Sequence, residues 1–343
     1  MTFDQTYKQY RKIVKRVLAY FGCIFIAASL VLFVHITGFS FKKVKTDGYY
    51  IYMLDYDVSK LGNSEEDQLV KLGYDMFLHT SKHIGPESSN PYAGNKLSCN
   101  NCHLLGGKKP YSAPLIGIIN RFPQFRGREN KIGTIEERIN GCMERSMNGV
   151  VLPVDSEAMK AMVSYMEFLN QYAPEDGKIE GQGFVKVNFP DREIDLTNGE
   201  RVFKQHCIEC HQEDGQGKLN SFAELGGYEF PPLWGTDSYN NGAGMTRVLT
   251  SARFIKGNMP FGVTYETPAL TDDEAYDVAG YINQQLRPTK NSLEVDFPDL
   301  LKKPVSTPYP PYMDPFPIEQ HQRGPFQPII EYYKKAYNIT KTK

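Results

Sequence analysis

Two five-residue frames decide the reading of this chain: Cys99-Asn100-Asn101-Cys102-His103 and Cys207-Ile208-Glu209-Cys210-His211. In C-x-x-C-H, two cysteines can form thioethers to one porphyrin, and the adjacent histidine then falls on its iron, so the spacing reports c-type haem attachment. A single copy could be a redox dithiol or half of a zinc site; two copies, both followed at once by histidine, point to two covalently bound haem c groups. Cys99, Cys102 and His103 are assigned to haem 1, and Cys207, Cys210 and His211 to haem 2, with His103 and His211 on the irons.

Working outward, the 343 residues carry 39 Lys+Arg against 40 Asp+Glu, a net charge of -1, which argues against a nucleic-acid partner. The 22 prolines, 22 tyrosines and single tryptophan suggest much irregular backbone around a core. The expected fold is mainly α: two c-type cytochrome domains in tandem, residues 47–178 and 188–290, with one N-terminal transmembrane helix before them and a proline-rich tail, 291–343, after them.

Local signals place the helices. Leu69, Leu72, Met76 and Phe77 are spaced for a helix backing haem 1. Thr134 followed by Glu137 forms a capping box that opens a second helix, with Cys142 two turns in. Residues 156–169 carry Met159, Met162, Val163, Met166 and Leu169 on one stripe, methionines better read as core filler than as iron ligands. Residues 174–183 read as a linker. Thr197 is an N-cap-like opening to the second domain, and residues 271–285, introduced by Thr271 and Glu274, form its last helix. Nine prolines between Asn291 and Ile330 are too many for regular structure, but Tyr309, Tyr312, Phe316, Phe326, Tyr332 and Tyr333 favour a strap on the haem domains over a disordered tail.

At the other end, Leu18 to Phe39 is a run of 22 residues whose one strongly polar member is His35, long enough for a membrane-spanning helix. Residues 1–17, with Lys8, Arg11, Lys12, Lys15 and Arg16, are then cytoplasmic, and 18–39 is the anchor. The alternative is a cleaved signal peptide, but no small-x-small site with a polar mature start precedes the end of the run. Haem attachment outside the cytoplasm fixes the same orientation, so the expected location is the inner membrane, single-pass, with the haem domains on the periplasmic side. Cys23, early in the apolar run, reads as a buried thiol.

The sixth iron ligands are less determined. Met259, followed by Pro260, is the preferred ligand of haem 2; Met245 is the rival, although Gly242, Gly244 and Arg247 around it also describe tight packing beside a ring. Cys142 is the one thiol of the exported part left over from the haem frames. It is either a buried inert residue or a thiolate axial ligand of haem 1, which Arg128, Arg138 and Arg145 would stabilise. Those arginines suit small oxyanions, but equally a haem propionate or a solvated face.

The stretch Arg138-Ile139-Asn140-Gly141-Cys142-Met143-Glu144-Arg145-Ser146-Met147-Asn148-Gly149 resembles the dihaem thiosulfate dehydrogenases, whose first domain is related to sulfur-oxidation cytochromes with cysteine-ligated haem. The likeness runs from about Leu69 to Leu286. It takes in Leu97 to Leu104, Pro231-Pro232-Leu233-Trp234-Gly235, Tyr239 to Met245 and Asn258-Met259-Pro260. The resemblance implies an oxidoreductase that interconverts thiosulfate and tetrathionate at a His103/Cys142-ligated haem and passes electrons through a His211/Met259 haem. It places anion-binding arginines on Arg128 and Arg138 and a hydroxyl of the site on Ser146. Some members have lysine where this chain has Asn258, so plain His/Met ligation is expected here. A periplasmic or membrane cytochrome, or another redox protein, would be the electron partner. The competing reading is a membrane-tethered dihaem electron-transfer subunit with no sulfur chemistry of its own.

Overall fold

A computed structural model describes residues 12–22, 24–25, 29 and 56–342. Residues 1–45 and 46–343 fall into separate compact units. Among the described residues of the larger unit, regular structure is mainly helical, with two antiparallel strand pairs: β1 (Gln124–Arg126) with β2 (Lys131–Gly133), and β3 (Lys218–Leu219) with β4 (Tyr228–Phe230).

The expected transmembrane helix is corrected. Among the described residues no helix is long and apolar enough to cross a membrane. Helix is described over residues 12–22, 24–25 and 29, with Lys12, Lys15 and Arg16 ahead of the apolar run. Cys23, residues 26–28 and residues 30–55, including much of the run and the start of the tyrosine-rich lead-in, lie outside the described residues. The single-pass inner-membrane location, which rested on that helix, falls with it.

The first segment, which carries Cys99 and Cys102, is built on α1 (Glu65–Leu78), α2 (Ile135–Met143) and α3 (Glu157–Asn170). Ser64 caps α1 by accepting from the Asp67 amide, and Glu65, Glu66 and Asp67 complement the positive end of the helix. Its inward residues Met76 and Phe77 are buried, whereas Leu69 and Leu72 are partly buried at the edge of the core. The crossing of α1 and α3 requires glycine at Gly73, because a Cβ there would collide with the Ala161 carbonyl of α3. Met159, Met162, Met166 and Leu169 give α3 its buried stripe.

The second segment uses α4 (Leu196–His206), α5 (Val248–Asn258) and α6 (Asp272–Gln284). The cap of α4 is Asp195, which accepts from the Asn198 amide, two positions before the expected Thr197. A carboxylate suits this site, since it faces orphan amides at the positive helix end. Buried Asp277 on α6 accepts from Arg192, the Asp195 amide and Asn198, tying the start of α4 to α6. Thr271 and Glu274 form the capping box of α6.

That helix is not the last. Beyond it the tail forms α7 (Ile318–Arg323) and α8 (Gln327–Tyr337). Pro328 stands in the first turn of α8, where a missing N–H costs no hydrogen bond. Phe326, Ile329 and Tyr333 enter the second core, and buried His321 stacks 3.5 Å from Tyr312 and bridges the Val305 carbonyl and Asp314. The tail is therefore an ordered strap whose prolines lie mostly in the irregular stretch before α7.

Candidate active site at the first cysteine pair

Cys99 and Cys102 lie on one turn, held by the Ser98–Asn101 capping box and by Thr80, whose hydroxyl accepts from the Cys99 amide at 3.1 Å. They line a cavity with mainly apolar walls from Phe77, Leu115, Met162 and their neighbours. His103 Nδ1 is 2.6 Å from the Ala113 carbonyl oxygen. With that nitrogen as donor, Nε2 is left as the ligating atom, the usual support for a metal-bound histidine.

Cys142 faces this histidine from α2. Both line the cavity, and the thiol is within hydrogen-bonding reach of His103. On the same face of α2, one turn earlier, Arg138 donates from Nη1 to Cys142 Sγ at 2.7 Å. Burial pushes the Cys142 thiol up, but the Arg138 charge, His103 and the Arg138 hydrogen bond outweigh it and bring it down to about 6. Cys99 and Cys102, without such partners, are pushed by burial to about 11 and about 12. The contrast sets apart a thiolate-stabilising site from two thiols suited to thioether attachment.

A haem fits this cavity on three counts: apolar walls of sufficient extent, two cysteines beside a histidine with its Nδ1 engaged, and a sulfur donor facing that histidine. Among the described residues no group of three or more His, Cys, Asp or Glu side chains converges to hold a bare metal ion, so the zinc reading gains no support.

Beyond Cys142 the cavity meets a second, polar pocket of about 1630 Å³. The two share Cys102, His103, Arg138, Cys142, Ser146 and Met245. Arg128 lines the polar pocket but is engaged: its Nη1 donates to Asp296 Oδ2 at 2.5 Å, to the Gly242 carbonyl and to Tyr309. Asp296 Oδ1 accepts from Arg145 Nη2 at 2.7 Å. Thus the structure brings Arg128, Arg138, Cys142 and Ser146 to one pocket, with Arg138 directly on the sulfur and Arg128 held by the tail.

Sequence reasoning passed over two contributors. Asp296 lies in the proline-rich tail, with no local motif to mark it. Arg247 was read as packing beside a ring, yet it lines the polar pocket from the second segment. Its place two residues after Met245, where one of the matched stretches ends, was the available signal.

The second pair is arranged alike. His211 Nδ1 is 2.8 Å from the Pro231 carbonyl oxygen, and burial lowers its pKa, favouring the neutral ligating imidazole. Cys207, Trp234 and Met259 pack against the second core, whereas Met245 packs against the first and lines the first cavity. The donor set and its apolar surroundings fit a second haem, with His211 and Met259 on its side of the molecule. Asn258 is fully buried, its amide donating to the Tyr111 and Phe254 carbonyls at 3.0 Å each.

The first segment matches the family described as SoxA/TsdA, cytochrome c domain, over residues 89–172, and the second matches cytochrome c over residues 196–285. The thiosulfate dehydrogenase of Psychrobacter arcticus is 40% identical over 243 residues, 71% of each chain. That of Stutzerimonas stutzeri is 38% identical over 221 residues, 64% of this chain and 68% of its own. The solved thiosulfate dehydrogenase TsdBA of Marichromatium purpuratum superposes with a TM-score of 0.62 at 35% identity; the match covers 69% of this chain but only half of that one. With both cysteine frames inside matched segments and relatives similar over most of their length, this chain belongs to the SoxA/TsdA dihaem c-type cytochrome family of thiosulfate dehydrogenases.

Proposed function

We propose that this protein is an oxidoreductase joining two thiosulfates into tetrathionate, or reversing that reaction, with Cys142 as the reacting sulfur. The observation carrying the proposal is Arg138 Nη1 at 2.7 Å from Cys142 Sγ, at the junction of the haem-sized cavity and the arginine-rich pocket. The names of the relatives supply the substrate class.

The outer sulfur of the first thiosulfate bonds to the Cys142 thiolate sulfur, and two electrons leave the pair. The product is a sulfonate-bearing disulfide on Cys142. The outer sulfur of a second thiosulfate then attacks the sulfur that carries the sulfonate. Its bond to Cys142 breaks, the cysteine leaves as thiolate, and tetrathionate is released. Atoms, charge and electrons balance, and no proton is needed. Haems, held by Cys99, Cys102, His103 and Cys142 and by Cys207, Cys210, His211 and Met259, would supply the one-electron carriers for the two electrons.

The arginines lower the electrostatic cost of gathering anions in one place, and the buried setting strengthens that effect. Arg138 serves both the thiolate and the incoming sulfonate, Ser146 offers a hydroxyl beside it, and Arg128 adds positive potential. A haem held by Cys207, Cys210 and His211 would offer the point at which electrons exchange with a cytochrome or another redox protein. Anaerobic mixing of the oxidised dihaem protein with thiosulfate tests the proposal: haem reduction should appear with tetrathionate, and haems that dithionite reduces but thiosulfate does not would refute it.

A further inference from the structure

Tetrathionate carries a sulfonate at each end, so a pocket that builds it must accommodate two anionic groups. We infer that Arg247, from the second segment, binds the sulfonate of the second thiosulfate, an assignment that rests on the thiosulfate reading above.

The other arginines of the polar pocket have defined partners. Arg126 pairs with Glu129, and Arg128 and Arg145 with Asp296. Arg138 serves Cys142, while Arg253 donates to the Thr342 carbonyl and lies over the Phe189 ring. Arg247 differs. Its Nε donates to the Gly244 carbonyl at 3.3 Å, and among the described residues no carboxylate forms an ion pair with it. Burial, together with the charges of Arg128, Arg138 and Arg145, pulls its pKa down to about 9, so the site holds a cation among cations.

Such an arrangement is costly unless an acceptor completes it. Four further unpaired polar atoms lie in the walls of the same pocket. Arg126 Nη1, Arg145 Nε, Thr250 Oγ1 and Arg253 Nε are buried without a hydrogen-bond partner, and all four residues line this pocket. Three are donors only and the fourth can donate. An oxyanion with several acceptor oxygens would complete the Arg247 guanidinium, and the second thiosulfate is the anion the reaction brings there. Arg138 beside Cys142 and Arg247 across the pocket then divide the two sulfonates between the two segments.

The test uses the full dihaem protein with Arg247→Gln and Arg247→Lys, and follows steady-state tetrathionate formation and the mass of the intact protein after one equivalent of thiosulfate. Loss of one charged hydrogen-bonding group should raise the half-saturating thiosulfate concentration roughly ten- to hundredfold in Arg247→Gln, with partial recovery in Arg247→Lys. The Cys142 adduct should still form and should persist longer, with both haem midpoint potentials unchanged. An unchanged half-saturation in a wild type that turns over would overturn this inference alone. So would a shifted haem potential with normal half-saturation, the mark of a propionate clamp. A wild-type protein that makes no tetrathionate would instead remove the parent reading.

Discussion

Arg138 and Cys142 stand one turn apart on α2, with Nη1 2.7 Å from Sγ, so the helical i,i+4 spacing itself delivers a fixed positive charge to the sulfur. The Thr134–Glu137 capping box fixes where that helix begins and hence where both side chains emerge. Replacing Arg138 by Gln should lower kcat/KM for thiosulfate about ten- to hundredfold while both haems stay attached, as expected for one charge-assisted hydrogen bond of ~1.5–3 kcal/mol. An unaltered kcat/KM would remove Arg138 from the reaction.

Asp296 gives the strap a mechanical role. It is buried, accepts from Arg128 and Arg145, and takes a further hydrogen bond from Tyr309 at 2.9 Å. Burial pushes its pKa up, but the Arg145 hydrogen bond and both arginine charges overcome this and hold it below the ordinary value. A lowered carboxylate pKa contributes stability fully present above the unfolded value of about 3.9 and lost as pH falls through the folded value. Asp296→Asn should therefore cost about 3–5 kcal/mol at neutral pH, because two buried guanidiniums lose their counter-charge, and its acid unfolding profile should be flatter than wild type. Matching melting temperatures from neutral pH down to pH 3 would contradict this.

Met259 and Met245 separate by the cores they join. Met259→Ala should change the visible and electron paramagnetic resonance signals of haem 2, and slow electron exit, while the Cys142 adduct still forms. If the haem 2 signals are unaltered and Met245→Ala changes them instead, the ligand has been misassigned.

Gly73 offers a test of the scaffold with an informative sign. In an ordinary helix Ala would be favoured over Gly by about 0.5–1 kcal/mol. Here the Cβ would strike the Ala161 backbone, so Gly73→Ala should destabilise by about 1–3 kcal/mol in thermal or denaturant unfolding. A more stable variant would show that α1 and α3 do not cross this closely.

Much of the first segment was legible because its signals are local. The cap before α2, the stripe on α3 and the cysteine frames each occupy a few consecutive residues, and the structure places them accordingly. The capping box of α6 was equally plain. The opening of α4 was missed by two positions because Asp195 and Thr197 are both good caps and only tertiary context, including Asp277, chooses between them. Proline counting misjudged the tail, since Pro328 sits where a helix tolerates it and most of the others lie in the connections. Arg247 and Asp296 could not be placed from sequence because their partners are 119 and 168 residues or less away along the chain and meet them only after folding. At the N-terminus, apolar length suggested a spanning helix, whereas no helix among the described residues is long and apolar enough to cross a membrane.

The most direct measurement compares wild type with Cys142→Ala, both carrying two attached haems, after anaerobic mixing with thiosulfate, recording haem reduction and tetrathionate together. The account predicts one tetrathionate for every two electrons in the wild type and no turnover in Cys142→Ala. Tetrathionate formed at the normal rate by Cys142→Ala would contradict it.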